Sequence, residues 1–100
     1  MDKVNEGSAS HHQFTLDGAN GLPIPGNPET LQYRLMASET ETIIDWTQLP
    51  VSAREVVISG SHNTITGGKT ARYLTIKATH SGGEEITSEL RYSLINLMGV

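Results

Sequence analysis

Thr70 to Leu97 reads TARYLTIKATHSGGEEITSELRYSLINL, and the fold of the chain turns on whether this stretch is a β-hairpin. In its first limb Leu74, Ile76 and Ala78 alternate with Tyr73, Thr75, Lys77 and Thr79, a period of two carried by β-branched and aromatic residues. In its second limb Ile86, Leu90, Tyr92 and Leu94 share one parity, and Glu89, Arg91 and Ser93 the other. Between them Ser81-Gly82-Gly83-Glu84 supplies glycines for a tight turn. A two-residue loop of Gly82-Gly83 sets Ile76 against Glu89 and mixes the faces. A three-residue loop, Gly82-Gly83-Glu84, sets Ile76 against Leu90, Leu74 against Tyr92 and Lys77 against Glu89, so the pattern favours the odd loop. A helix competes for the second limb. Ser81-x-x-Glu84 has the form of a capping box, Ile86, Leu90, Leu94 and Leu97 stand at helical spacing, and Gly99 offers a C-cap. Two glycines in its first turn weigh against that helix by about 1 kcal/mol each, and strands are favoured.

Upstream the same period recurs. In Thr30 to Ala37, Leu31, Tyr33, Leu35 and Ala37 face one way, and Gln32, Arg34 and Met36 the other. Glu41 to Trp46 is the next strand, with Ile44 and Trp46 on one face and Trp46 expected in the core. Arg54 to Ser59 follows, then a turn at Gly60-Ser61-His62-Asn63 and a short strand at Thr64-Ile65. Strands separated by turn signals about every ten residues predict an all-β sandwich or barrel.

Residues 1–28 look different. MDKVNEGSASHH is polar and aperiodic, and Gln13 to Leu16 offers one short strand. Asp17-Gly18 and Asn20-Gly21 are turn dipeptides, and Leu22 to Pro28 holds three prolines within six residues. The expected organisation is a flexible or partner-ordered arm over 1–28 and a β-sandwich over 29–100. A packed unit of about 70 residues buries only about 60% of its unfolded surface. With no cysteine to staple it, assembly with other chains is the expected route to stability.

The composition excludes several classes. Seven Lys and Arg against 11 Asp and Glu give a net charge of −4 with no basic stripe, which argues against nucleic acid. No apolar run is long enough for a transmembrane helix, and MDKVNEGSAS has no apolar signal-peptide region, so a product made in a cytoplasm is expected. Gly68-Lys69-Thr70 imitates the end of a P-loop, but Asn63 stands where the first glycine belongs and a strand follows. His11-His12 has no third metal ligand nearby. His62 and His80 flank loops and could meet at one end of a sandwich, and Glu39, Glu41 and Asp45 could pair. Neither group forms a recognisable catalytic motif, so no enzyme, cofactor or metal is expected.

The run W…EVVISGS…GGKTARYLTIKAT…GGEEITSELRYSL, over roughly Thr30 to Leu97, resembles small immunoglobulin-like β-domains, including those of phage virion proteins. The resemblance implies an immunoglobulin-like sandwich of about six to seven short antiparallel strands, acting by surface display, decoration or adhesion. The expected function is a capsid decoration or head–tail accessory protein of a virion, oligomeric and bound to a repeating protein lattice. Its arm would dock through Phe14, Leu22, Ile24 and Pro25. Two other functions fit the same texture: a carbohydrate-binding or adhesion module using Trp46 and Tyr73, and a small cytoplasmic regulator acting through a sheet edge.

Overall fold

The computed structural model describes residues 2–18, 21–65, 68–80 and 83–96. Asn20, Gly67, the loop residues Ser81 and Gly82, Leu97 and Gly99 lie outside them. Seven strands are described: β1 (Asp2–Asn5), β2 (Ser10–Gln13), β3 (Thr30–Met36), β4 (Thr42–Gln48), β5 (Glu55–Ile58), β6 (Ala71–His80) and β7 (Glu84–Ile95). They form a five-stranded sheet in the order β1-β7-β6-β3-β4 and a two-stranded sheet of β2 and β5. All pairs are antiparallel except β1 with β7. The order β7-β6-β3-β4 over β2-β5 is the order of strands G-F-C-C′ over B-E in an immunoglobulin-like sandwich.

The second limb of the hairpin is a strand from Glu84 to Ile95, not a helix. Its register differs from the expected one. Leu74 faces Leu90, Ile76 faces Ser88 and Lys77 faces Thr87, with His80–Glu84 as the last pair. The loop is therefore residues 81–83. It is odd, as the pattern requires, but sits one position earlier, which moves each partner by two and leaves the inner and outer faces unchanged. Turn chemistry makes the choice. The third residue of such a loop takes a left-handed conformation, and Gly83 has φ of 84°. In the alternative register that place falls to Glu84, where a Cβ is disfavoured.

The even-numbered residues of β6 and β7 meet β3 and the small sheet in one core. It holds Leu31, Leu35, Val56, Ile58, Leu74, Ile76, Ala78, Ile86, Tyr92 and Leu94. Phe14 and Leu16 belong to the same core. The expected arm is thus built into the fold. β1 lies along β7 with Val4 opposite Leu94, and β2 lies along β5. The Pro-rich segment folds back, with Asp17 bridged to Pro23 and the Ile24 amide donating to the Leu16 carbonyl at 2.9 Å. Thr64-Ile65 is not a strand; a single 3-10 turn, Gly60–His62, precedes it.

Trp46 departs from the core position that alternation gives it. The pairing of β3 with β4 passes from Tyr33–Thr47 to Leu35–Ile44, so β4 spends one extra residue there. Such a bulge reverses the parity across it, so that Ile44 and Thr47 face the same way; a second shift follows between Leu35 and Met36. Ile44 packs against the core, while Trp46 stands on the opposite face of the sheet.

Candidate functional site

The outer face of the five-stranded sheet is built from the odd positions of β6 and β7 and the even positions of β3. Arg34 lies opposite Thr75, which lies opposite Glu89, and Tyr73 lies opposite Arg91. Trp46, 36% exposed, carries the Arg34 guanidinium 4.7 Å and the Lys77 ammonium 5.6 Å from its ring centre. Arg91 lies 5.4 Å over the Tyr73 ring. Its Nε donates to Glu89 Oε1 at 2.8 Å, and this pairing raises the Arg91 pKa above its ordinary value. Lys77 Nζ stands 3.7 Å from Glu85. Arg34 has no carboxylate within ion-pair distance among the described residues, and its buried Nε has no hydrogen-bond partner. Between Arg34 and Arg91 lies a cleft of about 630 Å³, floored by Tyr73 and Thr75 and bordered by Ser38 and Glu39.

A second cluster is buried on the inner side. Tyr92 Oη donates to Asn63 Oδ1 at 2.8 Å, and Asn63 Nδ2 donates to the Ser8 carbonyl and to Ser10 Oγ, each at 2.9 Å. Ser10 Oγ lies 2.7 Å from His12 Nε2, and the His12 ring stacks on Tyr92 with centres 4.4 Å apart. Since Ser10 Oγ accepts from Asn63, its own proton is free to go to His12 Nε2. A serine–histidine pair at this distance is also how nucleophiles are activated. Here both side chains are buried and the serine oxygen is already engaged, so the pair joins β2 to the core. Burial pushes the Tyr92 phenol up to about 12, against smaller opposing effects of Ser10 and Arg72. Arg72, 1% exposed, donates to the carbonyls of Thr64, Lys69 and Ala71.

The residues singled out from sequence are scattered. Phe14 is 6% exposed, a core residue with no surface to offer a partner. Ile24 is half-buried against the core, whereas Leu22 is 62% exposed and Pro25 is also at the surface. Trp46 and Tyr73 share one face but are separated by β3, two strand spacings of roughly 10 Å in all. Each ring already carries a cation, which leaves no open pair of stacking platforms.

The other groups do not converge. His62 bonds Ser59 beside the start of β6, while His80 ends that ten-residue strand, so the two stand at opposite ends of the sandwich. Glu41 pairs with Lys69, and Asp45 accepts from the Trp46 amide. His11 pairs with Glu55 on the small sheet. Among the described residues no three His, Cys, Asp or Glu side chains gather as a metal site.

Sequence reasoning missed the Asn63 cluster because its members are polar. The alternation was present, since Ser10 and His12 point inward and His11 and Gln13 outward, but hydropathy does not mark it. No family model, no curated protein and no solved structure matches the chain.

Proposed function

We propose that the chain is a non-enzymatic structural protein that docks onto a protein surface through the outer face of its five-stranded sheet. One observation carries this reading. Trp46, Tyr73, Arg34 and Arg91 stand together on an open face as two ring–guanidinium pairs. Trp, Tyr and Arg dominate the energetics of protein interfaces, because each presents a large rigid surface with a polar edge. A sheet supports them at fixed spacing, so little order has to be gained on docking. The setting is a repeating lattice, such as the capsid or tail of a virion, which the chain joins as a decoration or accessory protein in many copies. The phage-domain texture of the sequence supports that setting. Docking rests on the sheet face and not on an N-terminal arm, because Phe14 serves the chain's own core.

A photo-cross-linking side chain at Thr87, exposed on the outer face, tests this against the same group at Val57, exposed on the small sheet. In the producing cell, Thr87 should cross-link to one abundant protein of a sedimenting particle, and Val57 should not. Equal yields at both positions, or no particle protein at either, would overturn the reading.

A further inference from the structure

The cleft between Arg34 and Arg91 has a chemistry that the docking reading does not specify. β3, β6 and β7 each present one cation on the outer face, and two of these have carboxylates of their own: Arg91 has Glu89 and Lys77 has Glu85. Arg34 has none among the described residues, on a chain of net charge −4 with 11 acidic residues. Its guanidinium lies against the Trp46 ring, and its Nε is shut off from solvent without an acceptor. A guanidinium backed by an aromatic ring keeps its in-plane N–H fork for a planar, two-oxygen acceptor. Arg91 is held over Tyr73 in the same way, and Glu89 occupies its Nε. Ser38 and Thr75 add hydroxyls to the same cleft.

We infer that this cleft receives a carboxylate from an acidic segment of the partner protein, an Asp or Glu side chain that forks onto Arg34 with Arg91 on its far side. The inference rests on the outer face being the docking face and names what that face recognises. Glu39 and Glu89 border the cleft and set its selectivity. They repel an acid that cannot reach Arg34, so a carboxylate carried on a peptide side chain is preferred over a free diffuse anion.

The experiment is an NMR titration of the intact chain, following the Arg Nε–H and Trp46 indole resonances. The probe is a blocked tetraglutamate peptide, with a blocked tetralysine peptide and inorganic phosphate as comparisons. Tetraglutamate should shift Arg34, Arg91 and Trp46 saturably at millimolar concentration, and tetralysine should not. Arg34→Gln should weaken the peptide at least tenfold. Arg34→Lys, which keeps the charge and the stem but loses the fork, should weaken it severalfold. Lys69→Gln, a charge-matched change away from the cleft, should leave it unaltered.

A response that survives Arg34→Gln, an equal response to phosphate, or no shift at 10-fold molar excess over a millimolar sample would overturn the carboxylate assignment. If Thr87 cross-links while tetraglutamate fails, the face stands and the carboxylate falls. If tetraglutamate binds while Thr87 gives no cross-link, the docking reading falls and a free-carboxylate site remains.

Discussion

Tyr92 on the last strand and Asn63 in the β5–β6 connection are joined by a 2.8 Å hydrogen bond inside the sandwich. The same Asn63 holds the Ser8 carbonyl and the Ser10 hydroxyl, and its own carbonyl accepts from the Gly7 amide. One amide side chain thereby fastens the β1–β2 turn to β7. Tyr92→Phe removes the donor and leaves Asn63 Oδ1 buried without one, which should cost about 1–3 kcal/mol. Asn63→Ala loses three side-chain bonds at once and should cost more. Urea denaturation of both variants is the measurement.

The same phenol gives the stability an alkaline limit. Tyr92 has a pKa of about 12 in the folded protein, while an unfolded tyrosine titrates near 10. Above pH 10 the unfolded chain releases this proton and the folded chain keeps it, so stability falls as pH rises. The contribution is complete below pH 10 and is lost between roughly pH 10 and 12, about 2–3 kcal/mol in all. The urea midpoint followed over that range should drop more steeply for the wild type than for Tyr92→Phe.

Gly60 sits where a side chain has no room. A Cβ built there would lie 2.2 Å from the Gly7 carbonyl oxygen, a backbone atom fixed by the β1–β2 turn. Gly60→Ala should destabilise the protein by about 1–3 kcal/mol, the usual range for overpacking. Gly83→Ala meets no atom within 4 Å but must adopt φ of 84°, and should cost about 1–2 kcal/mol. Thermal melts of the two variants would separate crowding from backbone strain.

Trp46 and Leu74 should respond in opposite ways to truncation. Leu74 is fully buried, so Leu74→Ala should cost about 2–5 kcal/mol. Trp46→Ala should cost no more than about 1 kcal/mol of stability, since the ring is 36% exposed, while lowering particle association sharply. Calorimetry together with the Thr87 cross-linking yield checks both halves of this expectation.

Hydrogen exchange should find protection near the N-terminus. The amides of Glu6, Gly7 and Phe14 donate to carbonyls of Ile95, Asn63 and Arg54, so their exchange should be slowed far below that of an unstructured chain. Uniformly fast exchange over residues 2–14 would contradict the strand assignments there.

The readable parts of the fold were those with apolar alternation. β3, β6 and β7 carry mostly Leu, Ile, Ala and Tyr at alternate positions, and their strand character and inward faces follow from that period. Three features escaped it. The hairpin register depends on which loop residue takes a positive φ, and two registers share the same inside–outside pattern. Trp46 is turned outward by a bulge that only the partner strand reveals. β1 and β2 are polar strands held by pairing to distant segments and by side-chain hydrogen bonds, none of which a local period records. The candidate face was half legible. Alternation puts Tyr73, Arg34 and Arg91 on the outer parity but puts Trp46 inside, and it cannot show that Arg34 stacks on Trp46 or Arg91 on Tyr73.

The parallel seam between β1 and β7 joins Val4 to Leu94, about ninety residues further along the chain. A ribosome adding roughly 5–20 residues per second therefore emits the first strand some 5–20 s before the strand it pairs with. During that interval β1 has no edge to join, and Asn63 cannot yet reach Tyr92. Closure over so long a loop costs entropy that the short β6–β7 hairpin does not. β1 therefore cannot take its native place until β7 has been made.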